Sequence, residues 1–179
     1  MSRFEYVFVL ISIVAGLALT QLLSGLTQSL RHSARKVDIT HVLFSLGTIA
    51  LLHGVWWSSF RWEELQTWTF FEYSLIFVYV SMFYVMAEIL HPRNSTVAPQ
   101  FDEIRLPFYG VLILFNSYEM LIVYVRDGSL SLVYLSMVIS IIALATLGLF
   151  LRNRRFDQVF AAWNLFINIT FQFVARLIG

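Results

Sequence analysis

The chain has 179 residues, of which 59% are hydrophobic and 13% are charged, and its mean hydropathy is +0.74. Soluble domains contain about 25% charged residues, so this composition predicts a membrane protein and excludes an ordinary soluble domain. A net charge of +1 without a run of Lys and Arg argues against a nucleic-acid partner, and the absence of Cys excludes disulfides, thiolate metal sites and thiol nucleophiles.

Six segments are long and apolar enough to cross a lipid bilayer, which requires about 20 mostly apolar residues. They leave no room for a soluble domain, so the chain is predicted to be an all-α polytopic integral membrane protein. Its six transmembrane helices are expected to form one compact bundle with short loops, a single transmembrane domain over residues 1–179. The predicted helices cover approximately residues 4–30, 39–60, 68–90, 106–126, 129–151 and 157–178.

The Lys and Arg residues divide unequally between the two sides of this bundle. One side holds the larger group: Arg31, Arg35, Lys36, Arg93, Arg105, Arg152, Arg154 and Arg155. The other side holds Arg3, Arg61, Arg126 and Arg176. Because cytoplasmic loops are enriched in Lys and Arg, the first side is predicted to be cytoplasmic and both termini non-cytoplasmic. A bacterial cytoplasmic membrane is the simplest location for such a chain.

The first helix carries a stripe of small and hydroxyl residues at every fourth position, which comprises Ser12, Gly16, Thr20 and Ser24. The segment is too long for a signal peptide and its positive cluster follows it, so it is predicted to be a retained helix. Because positions four apart share one helix face and small residues allow close approach in lipid, the stripe is predicted to be a helix-packing face. Together with the small size of the chain, it predicts a homo-oligomer or a membrane-protein partner.

Tryptophans and a proline mark predicted helix ends. Indole rings favour the membrane interface, and they flank the second connection at Trp56, Trp57, Trp62 and Trp68. Pro107 predicts the start of the fourth helix, because a missing N–H has no consequence in the first turn.

The third helix ends with Glu88 and His91, whose Glu-x-x-His spacing occurs in di-iron bundle proteins. The sequence contains one copy only, and a His near a helix C-terminus is explained more simply by its interaction with the helix dipole. Glu88 and His91 are therefore subsidiary metal candidates, and no metal or cofactor is predicted. His41 approaches the same side of the membrane, so a metal or haem near His41 and His91 stays open as an alternative.

The fourth helix places Glu119, and three residues before it Asn116, inside an apolar run of membrane length. Ionisable groups are costly at that depth and mark functional sites. At roughly 1.5 Å of rise per helical residue, Glu119 and His53 lie at similar heights, roughly 5 Å outward from the midplane. Glu72 lies roughly 10 Å outward on the same scale.

The sixth helix repeats polar residues at every fourth position, which are Asn164, Asn168, Gln172 and Arg176. Facing hydrocarbon, their hydrogen-bonding groups would be unmet, so this face is predicted to turn inward. Asn168 lies near the predicted midplane and Gln172 in the outer half. Structural bonding between helices and a hydrated pathway are both open as roles for this face.

These groups predict an ion or proton site composed of Glu119, His53, Asn116, Glu72, Asn168 and Gln172. A carboxyl group away from water favours its protonated form and a nearby imidazolium favours the ionised form, so Glu119 with His53 is suited to exchange a proton near neutral pH. The leading hypothesis is a small membrane channel or transporter that passes or couples protons or monovalent cations. Glu72 would be an outer-vestibule acid and the three amides would be neutral ligands.

Two other classes are weighed against transport. A membrane scaffold or accessory subunit would use the polar stripes to dock partner helices, without transport activity. An intramembrane enzyme is the third class, but the sequence has no nucleophile elbow and no Gly-rich phosphate loop.

Overall fold

The computed structural model describes residues 3–31, 37–63, 68–93 and 99–178. Over these residues the chain forms six α-helices and no strand, so the prediction of an all-α chain with six helices is confirmed. A 3₁₀ turn, Ser59–Trp62, extends the second helix. The helices are α1 Arg3–Arg31, α2 Ile39–Ser58, α3 Phe70–Leu90, α4 Phe101–Asp127, α5 Leu132–Leu151 and α6 Arg154–Ile178.

Five of the six described helices are long and apolar enough to cross a membrane. Large apolar side chains point outward from them, as at Phe70, Leu132 and Phe150, which are 82%, 83% and 79% exposed. The five candidate spans are Phe4–Ser29, Ile39–Trp62, Phe70–Leu90, Phe101–Asp127 and Leu132–Leu151. Helix α6 is not among the candidate spans found in the described part of the chain.

Polar side chains fix the ends of three helices. Asp38 caps α2 by accepting a hydrogen bond from the Thr40 backbone N–H at 3.1 Å, and Ser131 caps α5 in the same way. Thr69 and Glu72 form a capping box at the start of α3. Such caps satisfy backbone N–H groups that have no partner inside the helix.

The start of α4 differs from the prediction, and Pro107 does not mark it. The helix begins at Phe101, and Pro107 lies inside it. Asp38 explains the earlier start, since its carboxylate accepts a hydrogen bond from the Phe101 N–H at 2.9 Å and so satisfies a free donor of the first turn. As the seventh residue of α4, Pro107 cannot donate to the Glu103 carbonyl and its ring crowds that carbonyl, yet α4 continues through it.

Helix packing follows a simple pattern of neighbours. Helix α2 packs most extensively on α6, α1 on α3, and α4 on both α5 and α3. At the centre, the Phe44 ring of α2 stacks on Phe101 and contacts Phe108, Tyr109 and Phe160 from α4 and α6. The many dispersion contacts between these closely packed rings join α2, α4 and α6.

The connections gather at two opposite ends of the bundle. The Asp38 end comprises residues 37–38, 91–93, 99–100 and 152–153, where Asp38 meets the Phe101 N–H and lies 3.9 Å from Arg154. The Asp127 end comprises residues 59–63, 68–69 and 127–131, where Arg61 lies 3.9 Å from Asp127. Gly128, with a positive φ of 69°, ends α4 there in the left-handed conformation that glycine favours.

The stripe on α1 faces away from the rest of the chain. Ala15, Ala18 and Leu22, not the stripe, are buried in the bundle core. The stripe residues Gly16, Thr20 and Ser24 are exposed and Ser12 is half-buried. Within one chain the α1–α3 contact is therefore made by a different face, and packing of the stripe against another chain stays a prediction.

Candidate functional site

A cavity of about 920 Å³ lies toward the Asp127 end, between the α2–α6 pair and the α4–α5 pair. Three residues of the predicted site line it together: Glu119 from α4, and Asn168 and Gln172 from α6. The polar face of α6 turns inward, since Asn164 and Asn168 are only 5% and 4% exposed. This orientation places Asn168 and Gln172 at the cavity.

Glu119 lies in the wall between this cavity and a second one. The second cavity has a volume of about 60 Å³ and extends toward α1, and Glu119 lines both. Tyr79 of α3 and the Arg126 guanidinium are the groups that interact with this carboxyl group. A half-buried carboxyl group that lies within an apolar helix and borders two cavities has the surroundings expected of a functional acid.

His53 reaches the site through Gln172 rather than through Glu119. The Gln172 amide nitrogen donates to the Ala50 carbonyl at 2.5 Å, and the Gln172 oxygen lies 3.0 Å from His53 Nδ1. Gly54 makes this crossing possible, because a Cβ there would lie 2.8 Å from the Gln172 amide nitrogen. His53 itself is exposed on the outside of α2.

The two buried asparagines of the predicted site bond mainly within their own helices. The Asn168 amide nitrogen donates to the Asn164 carbonyl at 2.8 Å, and Asn168 is a cavity-lining residue. The Asn116 amide donates to the Leu112 carbonyl at 2.8 Å, and Asn116 is not one of the cavity-lining residues. Hydrogen bonds of this kind satisfy buried amides without a partner on another helix.

Glu72 lies apart from the cavity. Its carboxylate accepts a hydrogen bond from the Thr69 N–H at 2.9 Å and closes the capping box of α3. Glu72, which was predicted as an outer-vestibule acid, thus stabilises the start of α3.

Sequence reasoning missed the charged and phenolic groups of the cavity, which are Arg61, Arg126, Asp127 and Tyr134. Arg126 donates two hydrogen bonds to Asp127, both at 2.7 Å. The Tyr134 side chain is 7% exposed, and its hydroxyl has no hydrogen-bond partner among the described residues. The sequence signal for the charged groups is the adjacent pair of opposite charges, Arg126 and Asp127, at the end of the fourth predicted helix.

Glu88 and His91 face different partners. Glu88 accepts hydrogen bonds from the Gln21 amide at 2.5 Å and from the Arg93 N–H at 3.1 Å. The His91 ring instead lies 3.0 Å from the Ser45 hydroxyl and meets the His41 ring edge-on, with centroids 4.7 Å apart. Burial, and after it the charge of His41, lowers the pKa of His91 to about 3, so His91 is neutral at physiological pH.

An ion pair joins α4 to α6 near the Asp38 end. Asp157, which is 1% exposed, accepts hydrogen bonds from Arg105 Nε at 3.0 Å and from the Tyr109 hydroxyl at 2.8 Å. Asp102 also contacts the Arg105 guanidinium from the surface. Every polar atom of the Asp157 carboxylate therefore has a partner, as a buried charge requires.

In the part of the chain that the structure describes, the fold and the cavity together define an all-α protein with five helices of membrane length and a cavity lined by a carboxyl group. Comparison with protein-family models, with curated proteins and with solved structures finds no match to this chain.

Proposed function

We propose that this protein is a small membrane channel or transporter that passes or couples protons or monovalent cations at Glu119. One observation carries the proposal: Glu119, Asn168 and Gln172, from two helices that are distant in sequence, line one cavity. Glu119 is the titratable ligand, and the amide oxygen of Asn168 is a neutral ligand beside it. Gln172 positions the site and links it to His53.

Two cavities that share one acid favour proton transfer. Glu119 borders both the cavity of about 920 Å³ and the cavity of about 60 Å³, so a proton taken from one side has a second space beyond it, whose mostly apolar wall includes the hydroxyl groups of Ser58, Ser59 and Tyr79. Tyr79, which interacts with Glu119, also lines the smaller cavity, and its hydroxyl offers the next group in line. Chains of carboxyl and hydroxyl groups of this kind carry protons within membranes.

The membrane arrangement is part of the proposal. Helix α6 packs along α2, the helix with which it has its most extensive contact, and its 25 residues extend roughly 37 Å, so it crosses the bilayer as the sixth span. The Asp127 end faces the non-cytoplasmic side together with both termini. The host membrane is a bacterial cytoplasmic membrane, and the chain assembles as a homo-oligomer through the outward stripe of α1.

Proton flux in liposomes tests the function directly. Protein reconstituted in vesicles that enclose a pH-sensitive dye is subjected to an external acid pulse with K⁺ and valinomycin to clamp the voltage. Wild-type protein should accelerate acidification, and Glu119→Gln should reduce the protein-dependent rate at least tenfold, because the amide cannot bind a proton. Glu103→Gln, an exposed site on the same helix, is the matched control and should keep the wild-type rate.

A wild-type rate in Glu119→Gln would contradict the proposed site. No flux of protons, Na⁺ or K⁺ in any preparation would contradict transport as a whole and favour the scaffold. The outward stripe on α1, with three of its four residues exposed, is the observation that keeps a docking role as the second candidate.

A further inference from the structure

The cavity of about 920 Å³ is far larger than a proton or a bare metal ion requires. A water molecule occupies about 30 Å³ in the liquid, so about 920 Å³ corresponds to roughly thirty waters. Sites for small organic ligands have volumes of about 300–1,000 Å³. The size of the cavity therefore indicates an organic ligand in addition to water.

The charges in the cavity place a carboxylate at its inner end. Arg126 is paired with Asp127 through two hydrogen bonds, and both lie at the end of α4. Glu119 lies seven residues deeper on the same helix, roughly 10 Å from Arg126 along the axis. Arg61 also lies toward the end, and its side chain is 62% exposed, so water screens its charge.

Aromatic rings and one unpartnered hydroxyl complete the lining. Trp57 and Phe60 contribute from the end of α2, and Phe171 from α6. Such rings attract a cation that lies over their faces. The Tyr134 hydroxyl is buried without a partner among the described residues, although Tyr134 is a lining residue, so it is available to a ligand.

We infer that this cavity binds a lipophilic monovalent organic cation, such as a substituted ammonium or phosphonium, whose charge lies beside Glu119 and whose apolar body lies on the aromatic wall. The inference rests on the proposed function and names its monovalent cation. An anion of the same shape is disfavoured, because it would meet the Glu119 carboxyl, and Arg126, the basic group that interacts with Glu119, is already paired with Asp127.

Cation and proton compete for the same carboxylate. Binding of the organic cation requires ionised Glu119, so the proton leaves Glu119 for water as the cation enters, and no covalent bond to the ligand forms. The titratable groups that face Glu119 are Tyr79 from α3, Arg126 from its own helix and Tyr134 from α5. Arg61 and Asp127 line the cavity from its end, and no other described lining residue is ionisable.

Two ions of equal shape and opposite charge provide the test. Tetraphenylphosphonium and tetraphenylborate are measured by equilibrium dialysis against the purified full chain in detergent, with protein-free micelles subtracted. We expect tetraphenylphosphonium to bind, and its Kd to rise at least tenfold in Glu119→Gln while Glu103→Gln leaves it unchanged. Tetraphenylborate should bind at least tenfold more weakly than tetraphenylphosphonium.

Wild-type protein alone provides a second readout that needs no variant. The affinity for tetraphenylphosphonium should fall as the pH is lowered, and each bound cation should release up to one proton into a weakly buffered solution. Glu119→Asp, which keeps the carboxylate, should bind tetraphenylphosphonium with a Kd less than tenfold above that of wild type. Equal binding of the two ions, absence of binding, or pH-independent binding would each overturn the inference.

The outcomes also separate this inference from the proposed function. Glu119-dependent proton flux without tetraphenylphosphonium binding would leave the function standing and remove the organic cation. Glu119-dependent binding without flux of any ion would remove transport and leave a cation-binding membrane protein.

Discussion

Gly148 of α5 lies directly against the Tyr109 ring of α4. A Cβ built at this position would overlap the ring, and Tyr109 cannot retreat because its hydroxyl donates to the buried Asp157 carboxylate at 2.8 Å. The absence of a side chain at Gly148 thus permits the α4–α5 contact at this level.

Gly148→Ala should lower the free energy of unfolding by about 1–3 kcal/mol, because overpacking in a filled core forces neighbouring groups to shift. Gly110→Ala is the matched control, since Gly110 is exposed on α4 with open space around its Cβ position. That change should be neutral or stabilise by up to about 1 kcal/mol, as Ala favours helix more than Gly does. Unfolding in mixed micelles with increasing SDS measures both, and equal effects would contradict the packing explanation.

For single residues, the sequence predicted which polar groups lie in apolar surroundings better than it predicted which groups they contact. A carboxyl group inside an apolar run identifies Glu119 without a structure, because burial of an acid is costly anywhere in the membrane. Its neighbour Tyr79 lies 40 positions earlier in the chain. The contact depends on how α3 and α4 are rotated about their axes, and the height of a residue along its own helix does not predict that rotation. The same limit explains why His53 bonds to Gln172 instead of to Glu119.

Among the helices, α6 shows how a polar face is accommodated in an apolar bundle. Its amide face packs on α2, where Gly47 allows close approach because a Cβ there would lie 2.8 Å from the Asn164 oxygen. Its first turn is tied to α4 by the buried pair of Asp157 and Arg105. Helix α6 is therefore held by polar contacts at several levels along its length.

Asp157→Asn should destabilise the protein by about 3–5 kcal/mol, because it leaves the Arg105 guanidinium buried with its main counter-charge removed. Asp102→Asn is the control, since Asp102 contacts the same guanidinium but its side chain is 59% exposed. It should cost at most about 1 kcal/mol. Thermal unfolding in detergent measures the difference, and similar costs for the two variants would contradict a special role for the buried pair.

Periodicity predicted the existence of each helix and the inward turn of α6, since both depend on local spacing and on the cost of unmet hydrogen bonds in lipid. It did not predict the start of α4. That start depends on Asp38, the residue that precedes α2, which lies 63 positions before Phe101 and accepts a hydrogen bond from its N–H. A rule based on the position of Pro107 alone cannot predict a contact between residues so far apart in the sequence.

For the molecule as a whole, the absence of Cys makes the proposed topology directly measurable. Ser129→Cys lies at the Asp127 end and Arg152→Cys at the Asp38 end, and both native residues are exposed. In intact cells a membrane-impermeant maleimide should label only Ser129→Cys, because Lys and Arg favour the cytoplasmic side. Arg152→Cys should react only after permeabilisation.

A tag fused after Gly179 tests the sixth span in the same cells. Accessibility together with Ser129→Cys indicates that α6 crosses the bilayer, whereas accessibility together with Arg152→Cys would contradict the sixth span. Labelling of both cysteines in intact cells would contradict the topology itself.

The unequal size of the two spaces beside Glu119 has a consequence for selectivity under the proposed function. About 60 Å³ corresponds to roughly two water molecules, whereas the larger space corresponds to roughly thirty. A hydrated metal ion that reaches Glu119 would have to lose its hydration shell to go further, and a bulky organic cation would not fit the smaller space. A proton needs only a short file of water and hydroxyl groups. The junction at Glu119 would then act as a size filter, at which large cations stop and protons continue.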